Sequence, residues 1–558
     1  MGLNGRQLHC RQAVAAAAVA ALCVLAAMPV CAVVQSSKPN ILLIVADDLG
    51  FSDLGCYGSE IATPNLDKLA AEGVRFSQFY NGTRCCPSRA SLLTGLYAHK
   101  AGVGLMVSDN GTSFPAYRGF LTTNSLTLAE ALKPAGYRTY MVGKWHLSQK
   151  VTPVHRGFDE FYGMLGGINH FFAEKPGYRR LPEGRPVRQY DAGKFYATDV
   201  FGDYALDFIN DARTSASQPW FLYLAFSAPH FPLHALPEDI AKYASMYQQG
   251  WDKIREGRLE RQKRLGLIDA DTTLPPRSTI PPNWVADPHG WSGKENPAWE
   301  SIQPARQRDL ARRMAVYAAM VDRLDQNVGR VLEDLRAHGD LDNTIVLFLS
   351  DNGACAEWDP WGFDKSSGTD NVLHTEAELD DMGGPASYLS YGSGWANASN
   401  TPLRLYKHYI HEGGISSPLI VHWPAQLKAD GAWRKQAGHV IDVMPTLLEV
   451  AGVSYPETRS GHELPALAGV SLLPALRGEP LQREYLAWEH EGNRGIRVGD
   501  WKLVSVGANA WELYDMRKDR LELLNRADAE PDLVKQMSDK WDLWAAENQV
   551  LPQPALKP

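Results

Sequence analysis

The sequence predicts an α/β protein: a large mixed, mostly parallel sheet sandwiched by helices, then a smaller C-terminal α+β subdomain carrying an antiparallel sheet. Three observations lead there. The strongest strand patterns, at 38–46, 219–226 and 343–350, are continuous apolar runs. Runs of that kind mark strands buried on both faces, as in a parallel sheet. Helical patterns separate them, among them a long amphipathic stretch from Arg308 to His338. Beyond Tyr485 the pattern changes to short strands with turns between them.

The chain has 558 residues, enough for a large core and two unequal domains. The expected divisions are a signal peptide at 1–32, a catalytic domain at 33–455 and a C-terminal subdomain at 456–558. Arg6 and Arg11 precede an Ala/Val/Leu run ending at Val30-Cys31-Ala32, the make-up of an export signal cut near Ala32. That run is short for a membrane span and no stop-transfer segment follows. The expectation is therefore a periplasmic or secreted protein with no stable membrane insertion. A formal charge of −8 argues against a nucleic-acid partner. Past the signal only Cys56, Cys85, Cys86 and Cys355 remain, too few for a disulfide scaffold. Cys56 and Cys355 each follow a suspected ligand pair, which raises the expectation that they lie close and can pair.

In chain order, 38–46 ends in Asp47-Asp48. In open α/β sheets the C-terminal strand ends are where ligands bind. Two adjacent carboxylates there suit a hard divalent cation; a solvated turn is the competing reading. Thr63-Pro64 starts a helix closed by Gly73, and 74–80 is a strand. Cys85-Cys86-Pro87-Ser88-Arg89 turns into a helix that Gly95 ends. Cys85 thus precedes free helix N–H groups, and Arg89 adds a fixed charge that can grip an oxyanion. A short helix at 127–135 and a strand at 137–142 lead to Gly143-Lys144-Trp145-His146. In extended structure Lys144 and His146 point the same way, so both can face one anion. The strand at 219–226 runs into Pro229-His230-Phe231-Pro232, with His234 nearby.

Residues 237–307 read as an irregular inserted cap or surface excursion, and 358–400 as a second active-site loop. The strand at 343–350 runs into Asp351-Asn352-Gly353, a second oxygen-ligand pair. Lys407 stands five residues before Glu412-Gly413-Gly414, followed by a strand at 419–422 and a helix opening at Asp442. Short strands at 485–488, 494–498, 501–506 and 510–514 and a helix near 533–547 complete the chain. Tryptophans in 284–299 and 356–396 stack on a substrate or simply pack. His490, Asn493 and Arg494 are candidates for substrate contact or for a structural role.

Cys-x-Pro-Ser-Arg with Leu-Thr-Gly behind it, at 85–95, resembles the signature of the type I sulfatases of the alkaline phosphatase superfamily. Gly136-Tyr137-x-Thr139, then Gly143-Lys144-Trp145-His146, is similar to the family's second signature. Matches continue in the family's order to about residue 515. The resemblance implies an alkaline-phosphatase-like fold and arylsulfatase-like hydrolysis of a sulfate ester. It implies that Cys85 is converted to Cα-formylglycine by a maturation enzyme. It implies one Ca²⁺, with Mg²⁺ the alternative, on Asp47, Asp48, Asp351, Asn352 and position 85. Arg89, Lys144 and Lys407 then cancel sulfate charge, and Lys144, His230 and Lys407 bind substrate. His230, helped by Lys407, protonates the leaving oxygen, and His146 takes a proton as sulfate departs. The implied partner is a sulfated small molecule or glycan. Two other readings remain at this point: a phosphonate monoester or phosphodiester hydrolase of the same superfamily, and a non-catalytic glycan-binding relative.

Overall fold

The computed structural model describes residues 38–107, 114–215, 218–280, 287, 289–368 and 370–552. The expected signal peptide at 1–32 and Trp284 lie outside the described residues. Among the described residues no helix is long and apolar enough to cross a membrane.

Ten strands form one sheet: β1 (Asn40–Ala46), β2 (Val74–Tyr80), β3 (Arg138–Lys144), β4 (Glu160–Met164), β5 (Tyr178–Leu181), β6 (Trp220–Ala225), β7 (Thr344–Ser350), β8 (Ser416–His422), β9 (Trp433–Arg434) and β10 (Gly438–His439). The order across the sheet is β10-β2-β8-β7-β1-β6-β3-β4-β5, with β9 also on β2. β7, β1, β6, β3 and β4 run parallel; β8 and β5 are antiparallel to their neighbours in that block. Both faces of β1 are covered. Leu42, Ile44 and Ala46 join one apolar cluster, and Ile41, Leu43 and Val45 join another on the opposite face. A strand clothed on both sides needs apolar residues at every position, which explains the unbroken runs in the sequence.

The helices divide accordingly. One face carries α1 (Pro64–Ala71), α4 (Ala197–Arg213), α5 (Pro237–Tyr243), α6 (Gly250–Arg264) and α7 (Pro304–Ala337). The other carries α2 (Cys85–Thr94), α3 (Leu128–Leu132) and α10 (Val443–Ala451). Between them in sequence lie α8 (Gly392–Ser399) and the single turn α9 (Glu412–Ile415).

A two-stranded ribbon follows, β11 (Thr458–Arg459) with β12 (His462–Glu463), then α11 (Leu473–Leu476). The C-terminal sheet is an antiparallel meander of β13 (Leu486–His490), β14 (Asn493–Val498), β15 (Trp501–Ser505) and β16 (Glu512–Asp515). It is backed by α12 (Pro531–Glu547), whose Met537, Trp541 and Trp544 pack on Ile496, Leu503 and Leu513.

Three expectations are corrected. Residues 237–307 are not a surface excursion. They contain α5 and α6, and Trp251, Trp299 and Trp395 interlock edge to face, with Trp251 4.8 Å from Trp299 and 5.6 Å from Trp395. Buried polar residues on α6 disguised it: Arg258 reaches Asp53 and Glu60, and Gln262 reaches the Tyr57 and Thr401 carbonyls. Residues 358–400 include α8, fully buried. Cys56 and Cys355 do not pair; both are free, and they belong to separate apolar clusters.

The C-terminal sheet is joined to the main sheet by buried charge. Lys502 Nζ sits 3.0 Å from Glu412 and 2.8 Å from Glu522, all three side chains fully buried. Arg520 and the Tyr80 hydroxyl also bond to Glu412. Removing one partner of such a group strands the others without compensation. Lys502→Met is therefore expected to cost about 3–5 kcal/mol of stability, read from the shift of the chemical denaturation midpoint. A loss under about 1 kcal/mol, the range of surface ion pairs, would show that the network is not a structural tie.

Candidate active site

The site lies along the C-terminal ends of the parallel strands. The β1–β7 register places Ala46 opposite Ser350, so Asp47-Asp48 and Asp351-Asn352 leave adjacent strands side by side. The Asp351 amide donates to the Ala46 carbonyl at 3.2 Å. Asn352 Nδ2 donates to Asp48 Oδ1 at 2.6 Å, and the Asp48 amide lies 3.4 Å from Asp351 Oδ1.

Each buried carboxylate has its own cation. Lys144, the last residue of β3, places Nζ 2.5 Å from Asp47 Oδ2. Lys407 Nζ lies 2.9 Å from Asp48 Oδ2. Arg89, one turn into α2, forks onto Asp351 Oδ2 with Nε at 2.8 Å and Nη2 at 2.7 Å. Its Nη1 donates to the Lys144 carbonyl at 2.9 Å. His230 Nε2 stands 3.5 Å from Asp48 Oδ2, on the same oxygen as Lys407. The guanidinium of Arg89 thus ties Asp351 to the end of β3.

Cys85 is the first residue of α2, one position further into the helix than expected. Its thiol, that of Cys86 and a ring nitrogen of His146 lie within 4.8 Å of one another. The neighbouring Cys86 thiol, with Lys144 and His146 behind it, holds Cys85 well below the ordinary thiol value, while burial pushes Cys86 well up. Cys85 is close enough to act electrostatically on Asp47, Asp48 and Asp351. Burial raises Asp47 to about 6 and Asp351 to about 7 despite their cations. For Asp48 the burial penalty is outweighed by Lys407 and His230, which hold it below its usual range. Burial lowers His146 and His230 to about 4 each.

Lys144 and His146 do meet the same centre, but not through extended backbone. β3 ends at Lys144, and His146 has φ +49°. Asp48, Thr83, Leu405 and His408 are also left-handed, at +65°, +66°, +62° and +82°. Such conformations in non-glycine residues concentrate at functional sites. The Glu-Gly-Gly turn has a steric basis: a Cβ on Gly353 would lie 1.8 Å from the Gly413 carbonyl. Only glycine lets the two loops approach that closely.

The remaining candidates fall elsewhere. His234 faces the Ser387 carbonyl and the Phe171 amide. Arg494 stacks on Trp511 at 4.1 Å, and His490 is buried against the Gly104 carbonyl. Asn493 donates to the His408 carbonyl at 2.9 Å. Sequence reasoning missed a charged group flanking the centre: Arg84, Glu357, His408 and Glu491. Glu491 binds Arg84, and lies 2.6 Å from His408 Nδ1. Glu357 Oε1 lies 3.3 Å from His408 and 3.8 Å from Lys407. Despite burial, these neighbours hold both glutamates well below the usual carboxylate range. The only signal in the sequence was adjacency: Arg84 precedes Cys85, and His408 follows Lys407.

Comparison with known proteins decides what this centre belongs to. Residues 39–453 match the Sulfatase family, and residues 404–545 match the family described as N-sulphoglucosamine sulphohydrolase, C-terminal. This chain is a member of the sulfatase family. The sulfatase is 37% identical over 550 residues to an uncharacterized sulfatase of Schizosaccharomyces pombe, covering 93% of this chain and 96% of that one. It is 35% identical to an arylsulfatase of Klebsiella aerogenes, over 78% of this chain and 92% of the relative. Among solved structures it resembles Ps i-CgsB in complex with k-i-k-neocarrahexaose, at a TM-score of 0.64 and 27% identity, over 92% and 93% of the two chains. The sulfatase is a sulfuric ester hydrolase, and its reaction is the hydrolysis of a sulfate ester.

The Arg89 fork generates a prediction. Arg89→Lys keeps the charge but cannot bridge Asp351 and the Lys144 carbonyl together. Sulfate ester hydrolysis by the purified enzyme should fall by about 10²-fold or more. A rate within about twofold of the parent would show that charge alone suffices there.

Proposed function

We propose that this sulfatase cleaves sulfate monoesters using a formylglycine made from Cys85 and one Ca²⁺, Mg²⁺ being the alternative. One observation carries the metal assignment. Four oxygen-bearing side chains converge, and Asp47 Oδ1 and Asn352 Oδ1 are buried there without a hydrogen-bond partner. Buried polar atoms are rarely left so, and an all-oxygen set with three carboxylates suits a hard divalent cation. Asp47, Asp48, Asp351 and Asn352 would hold it. When present, the cation offsets the charge of the sulfate oxygens, and the hydrated aldehyde supplies the oxygen that attacks sulfur.

The chain's own side chains account for the rest. Lys144 and Lys407 stand on opposite sides of the aspartate pair, on Asp47 and Asp48. There they take up the charge that develops on the sulfuryl oxygens. His230 shares Asp48 Oδ2 with Lys407, which supports these two as the pair that delivers a proton to the departing oxygen. His146 sits against position 85, which supports it as the group that accepts a proton there. The substrate class we propose is a sulfated small molecule or glycan, and the maturation partner is a formylglycine-generating enzyme of the host.

Three experiments test this reading. Prolonged EDTA treatment should abolish turnover and lower the melting temperature, and added Ca²⁺ should restore both, since a ligand that binds only the folded state stabilises it. Turnover and melting temperature both indifferent to chelation would refute the metal assignment. Cys85→Ala should lose turnover altogether, and peptide mass mapping of the active enzyme should find residue 85 as the aldehyde. His230→Ala should cost about 10²–10⁴-fold on an alkyl sulfate and far less on 4-nitrophenyl sulfate, whose leaving oxygen needs little help from an acid. Equal losses on the two esters would remove His230 from that role.

A further inference from the structure

The group formed by Arg84, Glu357, His408 and Glu491 is not used by the chemistry above, yet it is stitched to the reaction centre twice. Arg84 is bonded to Cys85 in the chain, and His408 to Lys407. The group also has a direction. Lys407 and His230 mark the side from which the leaving oxygen takes its proton, and Glu357 lies 3.8 Å from Lys407 on that side. From there side-chain exposure rises stepwise: 2% at Lys407, 5% at Glu357, 10% at Glu491 and 15% at Arg84. This is a wall running from the buried centre toward solvent, next to where the leaving group must lie. The partly exposed Trp358 ring, 5.5 Å from His408, continues it.

The wall is anionic. Its two carboxylates face two permanent cations: Arg84, bound to Glu491 and close to His408 Nδ1, and Lys407, which lies 3.8 Å from Glu357 but is already paired with Asp48 at 2.9 Å. His408, His490 and Glu491 lie within the distance of a shared ion. Arg84 already supplies the cation at two of the three, so the trio is not a metal centre. Glu357 is tied down by Ser367 Oγ at 2.8 Å and by His408, so it cannot swing away from an incoming group.

We propose that Glu357 and Glu491 select the leaving group, excluding esters that carry a second anionic group beside the scissile sulfate and admitting uncharged ones. A carboxylate beside another anion is a repulsive element, a common means of specificity. This rests on the sulfate-ester reading of the site and on Lys407 and His230 marking the leaving-group side.

The test compares 3-carbamoylphenyl sulfate with 3-carboxyphenyl sulfate, esters of nearly one shape that differ in charge. The formylglycine-bearing enzyme should favour the amide by about tenfold or more in kcat/KM. Glu357→Gln and Glu491→Gln should each shrink that ratio to about threefold or less. Because Glu357 lies 3.8 Å from Lys407, a loss of rate common to both esters does not count, and the ratio is the readout. Glu491→Gln provides the second reading should one variant fold poorly. A parent ratio near one, a preference for the acid, or a ratio unmoved in both variants overturns the proposal. So does hydrolysis of 4-nitrophenyl sulfate with neither test ester accepted. Failure to hydrolyse any of the three overturns the sulfate-ester reading itself, and this selectivity with it.

Discussion

The site depends on the parallel pairing of β1 with β7. With Ala46 opposite Ser350, two short acidic segments some three hundred residues apart emerge at one level. A slip of one residue would turn each strand's side chains to the opposite face and separate the oxygens. The pairing also gathers three carboxylates in a buried place, which is costly unless each is compensated. The compensation is one to one: Lys144 for Asp47, Lys407 for Asp48, Arg89 for Asp351. Three against three leaves little surplus charge to attract an anionic ester. In the proposed reaction that surplus comes from the divalent ion.

Holding the cations in place requires unusual backbone. His146 and His408 follow Lys144 and Lys407 at distances of two and one residues, and both are left-handed. Each such residue costs about 1–3 kcal/mol. Three of these residues sit just past well-packed strands, Asp48 after β1, His146 after β3 and Thr83 a few residues after β2, while Leu405 and His408 lie in the loop before α9. The rigid sheet supplies the stability, and the strand ends carry the distortion that aims the side chains.

Much of this was legible in the sequence for a physical reason. Unbroken apolar runs occur where a strand is covered on both faces, and β1, β6 and β7 are so covered. Turn chemistry marked Pro64 at the start of α1 and left-handed Gly95 at the end of α2. What escaped reading were features whose partners are distant. α6 lacks an apolar stripe because Arg258 and Gln262 are buried against residues from 53 to 401. Glu357 and Glu491 are ordinary loop acids until the fold brings His408 between them. That Asp47 meets Asp351 was implied only by resemblance; no local pattern carries it. The suspected pairing of Cys56 with Cys355 failed because proximity to ligand pairs in sequence is not proximity of thiols in space.

The buried tie among Glu412, Lys502 and Glu522 has a consequence for how such enzymes diverge. Glu412 stands five residues after Lys407, so the anchor of the C-terminal meander sits inside the catalytic loop. The meander in turn supplies Glu491, at the β13–β14 turn, to His408 and Arg84. Recombination that exchanged this half between paralogues would leave unmatched ions in a dry interior unless Tyr80 and Glu412 travelled with Lys502, Arg520 and Glu522. The two halves of the chain are thereby bound to change together at these positions.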